Sequence, residues 1–245
     1  MAKTKSSRQK PLTLAVDIGG SHVKIMLLDP HGKPVSDRLR EPTPQPPTPV
    51  KLLSLLNKMI QQIGPFDRMS IGFPGVIKGG VVLTAANLHP KWVGFPLVIE
   101  AEKRWKRPTR LANDAAVQGL GAIRGKGVEL VLTLGTGLGS ALYTDGQLCP
   151  GLELGHHPWH HDHSYEDYLG EHGLQKHGKK KWNKLLLKAV EQTAHTFNWD
   201  HLYLGGGNAE KIDQKLPENV TIVSNEDGLT GGVELWKQNM ADTKK

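Results

Sequence analysis

The sequence predicts a mixed α/β protein. Three observations carry this: a strand–glycine turn–strand pattern that occurs twice, helical apolar spacing between the two copies, and 245 residues in which to bury a core. In the first copy the apolar run Leu12–Val16 leads into Asp17-Ile18-Gly19-Gly20-Ser21-His22-Val23-Lys24 and a second apolar run, Ile25–Leu28. Asp29-Pro30-His31-Gly32 supplies turn chemistry, and a third strand is expected after Gly32. In the second copy Leu130–Leu134 leads into Gly135-Thr136-Gly137-Leu138-Gly139-Ser140, then Ala141-Leu142-Tyr143 and a turn at Asp145-Gly146. The repeat is either a chance likeness of two hairpins or a duplicated fold whose lobes each turn a glycine bend toward a shared cleft.

Between the copies, Pro42–Pro49 is too rich in proline for a helix or a central strand and is expected to be an extended surface loop. Val50–Ile63 carries helical spacing at Leu52, Leu53, Leu56, Met59, Ile60 and Ile63. Met69–Phe73 is a strand, Phe95–Trp105 a helix and Thr109–Ala112 a short strand. Asn113-Asp114 then opens a small-residue helix to about Ile123. Later come an amphipathic helix over Lys184–Thr196, a strand over His201–Leu204 that runs into Gly205-Gly206-Gly207, a last strand over Thr221–Val223, and a terminal helix. The expected organisation is a disordered basic tail over 1–10, an N-terminal α/β lobe over 11–112 and a C-terminal α/β lobe over 113–245. The terminal helix is free to pack back on the first lobe.

Lys and Arg number 31 against 24 Asp and Glu, a formal charge of +7. Such an excess suits a polyanionic partner and selects none by itself. No apolar run approaches the roughly 20 residues that a membrane helix needs. The polar start has no apolar segment behind it, and Cys149 is the single cysteine. A reducing, cytoplasmic setting without a membrane partner is therefore expected.

Three glycine turns follow strands, at 19–21, 135–139 and 205–207. Without Cβ atoms, such turns can aim backbone N–H groups at an anion. They match neither the Walker A spacing nor a full G-x-G-x-x-G fingerprint, which argues against a P-loop and a dinucleotide site. Asp17, at a strand end beside the first turn, either holds Mg2+ or forms the turn. Lys24 either meets phosphate charge or is a solvated strand lysine. Asn113-Asp114 is either a helix cap or supplies a general base, and a helix N-terminus favours the carboxylate form of Asp114. Glu153, His156 and Glu166 are candidates for sugar hydroxyls. The histidines from His156 to His163 lack a metal-protease spacing. The lysines at 176, 179, 180, 181, 184 and 188 form either a solvated face or a track for a long polyanion, and Trp182 among them is expected in the core. Nothing else resembles a nucleic-acid module.

These residues together resemble the ROK family of sugar kinases. Asp17–Lys24 resembles its first phosphate motif, Asn113-Asp114-Ala115-Ala116 its catalytic segment, and Leu134–Ala141 its second phosphate motif. Glu153-Leu154-Gly155-His156 and Leu204-Gly205-Gly206-Gly207 follow in the family's order, so the resemblance runs from about Leu12 to about Trp236. Pro42-Thr43-Pro44-Gln45-Pro46, Thr84-Ala85-Ala86-Asn87 followed by Trp92, and Tyr165-Glu166-Asp167 followed by Gly178–Trp182 are similar to the polyphosphate glucokinase branch. The resemblance implies a two-lobed actin-like ATPase fold, ribonuclease H-like, with an interlobe cleft. It implies that Asp114 is the base for the glucose 6-hydroxyl and that Asn87, Asn113, Glu153, His156 and Glu166 hold the sugar. Gly19, Gly20, Ser21, Lys24, Gly135, Thr136 and Gly137 would hold the phosphates of polyphosphate or of ATP, with Asp17 near Mg2+. A homodimer is implied as well. Ser21 stands where the family usually has Thr. No cysteines follow Glu153–His156, so the family's structural zinc is expected to be absent. About ten residues precede the first strand, too few for the DNA-binding domain of the family's repressors. A kinase using ATP on other hexoses, a silent sugar or polyphosphate sensor, and a polyphosphate-binding protein without sugar chemistry remain open.

Overall fold

The computed structural model describes residues 11–85, 88–223 and 227–239. β1 (Thr13–Ile18) and β2 (His22–Leu28) pair antiparallel, β3 (Leu39–Pro42) extends the hairpin, and α1 (Pro49–Ile63) follows. Thr48 caps α1 with its side chain and Pro49 occupies the first turn, where a missing N–H costs nothing. β4 (Arg68–Phe73) runs parallel to β1; a small hairpin, β5 (Ile77–Lys78) and β6 (Val81–Val82), and α2 (Leu97–Trp105) lead to β7 (Thr109–Asn113), parallel to β4. α3 (Asp114–Ala122) leaves this sheet directly from Asn113.

The second sheet begins with β8 (Val128–Leu134), β9 (Leu138–Thr144) and β10 (Gln147–Leu148), an antiparallel meander. A short hairpin, β11 (Pro158–His160) and β12 (His163–Ser164), precedes α4 (Tyr165–Leu169) and the long α5 (Glu171–Phe197). β13 (His201–Gly205) and β14 (Val220–Ile222) then add parallel strands, and α6 (Asp227–Glu234) follows, with a 3-10 turn over Leu235–Lys237 after it. The strand orders are β3-β2-β1-β4-β7 and β10-β9-β8-β13-β14. In each, two successive parallel strands extend the sheet from the meander's first strand, so the repeated hairpins belong to a duplicated topology.

Burial explains why the central strands read as unbroken apolar runs. Leu14, Val16 and Ile18 face a core that includes Leu52, Leu56 and Met59 of α1, whereas Ala15 faces Leu229 and Val233 of α6. In β8, Leu130, Leu132 and Leu134 face Trp182 and Leu186 of α5, and Val131 faces Ala116, Val117 and Leu120 of α3. The pair α3 and α6 thus lies between the two sheets. Their approach demands glycine: a Cβ on Gly231 would collide with the Val117 carbonyl, and one on Gly232 would lie 3.0 Å from the Cβ of Ala15. Beyond α6, the guanidinium groups of Arg68 and Arg110 lie over the ring of Trp236, 4.9 and 5.0 Å from its centroid. Gln238 accepts from Leu148 N at 2.7 Å and donates to the Gly146 carbonyl at 3.0 Å, tying this segment to the β9–β10 hairpin.

Two expectations need correction. The helix expected over Lys184–Thr196 starts at Glu171, and it breaks at Gly178, where φ is 72°. Its first turns were hidden because Gly173 and Gly178 interrupt the apolar spacing, which Leu174 alone continues. The proline-rich segment is not wholly a surface loop either: Thr43 is buried, and its hydroxyl donates to the Gly19 carbonyl at 2.6 Å.

Gly231→Ala is expected to lower stability by about 1–3 kcal/mol, since an added methyl must force α3 and α6 apart. Gly151→Ala, where a Cβ meets nothing within 4 Å, is the control. Urea unfolding of the two variants checks the difference.

Candidate active site

Strand register assembles the first half of the site. Asp17 on β1 lies opposite Gly72 on β4, and Phe73 lies opposite Asn113 on β7, so the carboxyl ends of three parallel strands finish together. Ligands of open α/β sheets bind at this end. The turn between β1 and β2 closes through Gly19 N, which donates to the His22 carbonyl at 2.9 Å, and Thr43 N donates to the Ser21 carbonyl at 2.9 Å. A Cβ on Gly19 would lie 2.9 Å from the same His22 oxygen, so only glycine fits. Lys24 Nζ sits 2.9 Å from Asp17 Oδ2, which joins the two charged candidates of this hairpin in one ion pair.

The second glycine turn is braced from three sides. Gly135 N donates to the Gly137 carbonyl at 3.0 Å, and the Gly135 carbonyl accepts from Glu171 N at 2.9 Å and Asn208 Nδ2 at 3.1 Å. Glu166 Oε2 accepts from Leu138 N at 3.0 Å and lies where a Cβ of Gly137 would be. Gly206, with φ of 87°, packs against Leu134, and Asn208 N donates to the Leu134 carbonyl at 2.9 Å. The third glycine turn therefore buttresses the second.

Asn113 and Asp114 join the halves. Asn113 caps α3: its Oδ1 accepts from Ala115 N at 2.9 Å and Ala116 N at 3.4 Å, while Nδ2 donates to the Gly75 carbonyl at 3.3 Å. Asp114 Oδ1 accepts from Ala115 N at 2.8 Å. Two close approaches hold the start of α3. A Cβ on Gly72 would lie 3.4 Å from Asp114 Cα, and one on Gly139 of β9 would lie 2.9 Å from Ala115 Cβ. Burial pushes the Asp114 carboxyl up to about 7, and the charges of Asp17 and then Glu153 push the same way. This corrects the expectation that the helix N-terminus holds Asp114 ionised. The bond from Ala115 N does act in that direction, but desolvation outweighs it.

Glu153 precedes a 3-10 turn, Leu154–His156, tucked against β9, where a Cβ on Gly155 would strike the Leu138 carbonyl. Burial raises the Glu153 carboxyl; Glu166 raises it further, and His156, whose Nε2 lies 3.9 Å from Glu153 Oε2, opposes the shift. An interlobe cavity of about 940 Å3 reaches the site at Asn113 and Glu153, with Ile77, Ser140 and Leu152 beside them. Asp114 and the glycine turns stand outside its lining. Asn87 lies outside the described residues. Gly72 was missed in the sequence, and the contacts of Thr43 with Gly19 and of Gly139 with Ala115 were not foreseen, because only packing creates them.

Residues 13–207 match the model of the ROK family. This chain belongs to the ROK family. It is 33% identical over 222 residues to the polyphosphate glucokinase of Mycobacterium tuberculosis (strain ATCC 25618 / H37Rv), covering 85% of this chain and 83% of that one. With the polyphosphate glucokinase of Mycobacterium leprae (strain TN) identity is 32% over 214 residues, covering 82% of this chain and 65% of the relative. The crystal structure of an inorganic polyphosphate/ATP-glucomannokinase from Arthrobacter sp. strain KM superposes with a TM-score of 0.83 at 30% identity, over 93% of this chain and 99% of that one. The ROK chain accordingly has the two-lobed actin-like ATPase fold. Among its described residues no helix is long and apolar enough to cross a membrane.

The raised Asp114 carboxyl makes a stability prediction for this ROK protein. A folded-state value of about 7, against 3.8 as the ordinary one, means that folding costs more once the carboxyl ionises. Stability should fall as pH rises from about 4 through 7. Asp114→Asn, which cannot ionise, should be more stable than wild type by roughly 2–4 kcal/mol at pH 8. The gap should close toward pH 4, as read by urea unfolding across pH.

Proposed function

We propose that this ROK protein transfers the terminal phosphoryl group of inorganic polyphosphate to the 6-hydroxyl of glucose. The observation that carries the reading is Asp114: a carboxyl raised to about 7, at the junction of both lobes, within electrostatic reach of Asp17 and Glu153. A base of that strength is matched to taking a proton near neutral pH. In this reading Asn113, Glu153, His156 and Glu166, with Asn87, hold the sugar hydroxyls. Gly19, Gly20, Ser21, Lys24, Gly135, Thr136 and Gly137 hold the donor phosphates. The hydroxyl proton passes to the Asp114 carboxylate as the sugar oxygen bonds to the terminal phosphorus. The bond to the bridging oxygen breaks in line, and the donor leaves one phosphate shorter. Positioning and charge stabilisation supply most of the rate in such transfers.

Mg2+ fits this donor set. Among the described residues no three His, Cys, Asp or Glu side chains converge as a metal site, so Asp17 would hold the ion with donor phosphate oxygens and water. That is the usual arrangement for Mg2+, and the bound ion neutralises phosphate charge. Asp17 must then exchange its ion pair with Lys24, which frees that ammonium for the same phosphates.

Polyphosphate as donor is supported by α5. Its first N–H contacts the Gly135–Gly137 turn, and the exposed Lys180, Lys181, Lys184 and Lys188 lie along the helix beyond it. Lys179 contributes less, because it pairs with Asp213 at 3.4 Å. A homodimer, and a cytoplasmic setting, remain part of this reading. The name of the Arthrobacter relative favours one second reading, a kinase that also accepts ATP and mannose.

Purified protein assayed with polyphosphate and ATP against glucose, mannose and N-acetylmannosamine separates these readings; glucose 6-phosphate from polyphosphate is expected. Asp114→Asn should fold and lose about 10^3-fold or more in kcat. Near-normal turnover by that variant would reject Asp114 as the base. Lys180→Glu combined with Lys184→Glu should raise the KM for long polyphosphate about tenfold and leave that for ATP within about twofold. Equal effects on both donors would remove the lysines from the argument.

A further inference from the structure

The histidine-rich segment between the sugar-side turn and α5 has no part in the chemistry above, yet it forms a built surface. Tyr168 of α4 is its centre. Its ring stacks on His177 at 5.4 Å, meets Trp159 and His163 edge-on at 5.4 and 5.9 Å, and lies 6.1 Å from His160. His160 and His161 are in turn 4.0 Å apart. Trp159 stacks on Tyr165 at 4.8 Å and donates from Nε1 to Gln192 of α5, which anchors the hairpin to the helix. His160, His161 and His163 are exposed, and His177 is partly so. A stack of rings needs no imidazoles for packing. Imidazoles add a charge that switches near neutral pH.

Positive groups surround these rings. His161 and Lys188 act on His160, while Lys181, Lys176 and His172 act on His177. Burial first and these charges second hold both imidazoles below their ordinary range. The carboxylates on the same elements are few. Asp167 accepts from Ser164 N and Oγ at the start of α4 and lies 3.8 Å from His163. Glu166 is bonded to Leu138 N, and Glu171 lies 3.6 Å from Lys211. Asp162 at the hairpin tip and Glu191 on α5 complete the set. Among the described residues no group of three His, Cys, Asp or Glu side chains is arranged for a metal.

The surface is also joined to the donor turn. α4 reaches it through Glu166 on Leu138 N, and α5 starts on it through Glu171 N. A phosphate chain leaving Gly135–Gly137 along α5 runs toward Lys181 and Lys188, with Tyr168 and the histidines alongside. We propose that the face formed by His160, His161, His163 and His177 with Lys181 and Lys188 is a second, distal binding site for the same inorganic polyphosphate chain, tightened by protonation as pH falls from 8 to 6. The inference rests on the reading of polyphosphate as donor. A polyanion stabilises each imidazolium, so binding takes up protons, and by linkage low pH favours binding.

The test is the KM for long-chain polyphosphate and for tripolyphosphate at pH 6 and pH 8, with glucose saturating. For wild type, KM for the long chain should fall about tenfold from pH 8 to pH 6 relative to tripolyphosphate, which is too short to span both sites. A variant with His160, His161, His163 and His177 all changed to Gln should lose that difference and keep its tripolyphosphate kinetics. Its far-ultraviolet circular dichroism and thermal midpoint establish that it is folded. The same pH difference in the variant, or in tripolyphosphate, overturns the distal site. Equilibrium binding of fluorescent long-chain polyphosphate, at both pH values and without sugar, keeps the two proposals apart. If polyphosphate does not support turnover but binds more tightly at pH 6 and the variant loses this, the donor reading fails and the distal site stands. Absence of binding overturns the site. Displacement of the polyphosphate by an equal charge of single-stranded oligonucleotide, at equal or higher affinity, overturns it in favour of nucleic acid.

Discussion

The crossing of α3 and α6 is the contact on which the rest of the molecule depends. Both helices are sandwiched between the sheets, and Gly231 lets α6 approach the Val117 carbonyl more closely than any side chain would permit. One face of the pair packs against Ala15, Met26 and Leu28 of the first sheet; the other packs against Val131, Ala141 and Tyr203 of the second. Tyr143 adds a polar tie by donating to the Ala116 carbonyl at 2.6 Å. Because α3 begins at Asp114, the packing that joins the lobes also sets the candidate base. Chemistry and lobe geometry therefore share one helix.

Electrostatics at that helix runs against local expectation. An N-terminal turn with free N–H groups normally favours an ionised carboxylate. Here Asp114 has lost most of its water, and Asp17 and Glu153 bring two further carboxylates near it. A helix terminus contributes about 0.3–1 kcal/mol, whereas burial moves a carboxyl by several times that. Proteins tolerate such cost where activity requires it.

The proposed donor side shows a different economy. Its glycine turns hold no charge of their own. Their shape comes from backbone hydrogen bonds and from neighbours that occupy the space of missing Cβ atoms, as Glu166 does at Gly137. Charge enters from a distance, through the Asp17–Lys24 pair and through α5. The kink at Gly178 separates the α5 turns that abut the second glycine bend from the lysine-bearing stretch that follows.

Much of this was legible in the chain itself. Burial on both faces wrote β1 and β8 as apolar runs, and the Asp17–Lys24 and Leu134–Ala141 segments identified the family before any packing was known. Element types followed local preference, with Asn113 marking a helix start through a cap that acts within one turn. What sequence could not express was proximity. Asp17, Gly72 and Asn113 meet only because β1, β4 and β7 are parallel and in register, and Thr43 matters only because β3 returns it to Gly19. The ionisation of Asp114 belongs to the same class. Short-range chemistry is encoded residue by residue, whereas desolvation and the fields of distant carboxylates exist only after the two lobes close around them.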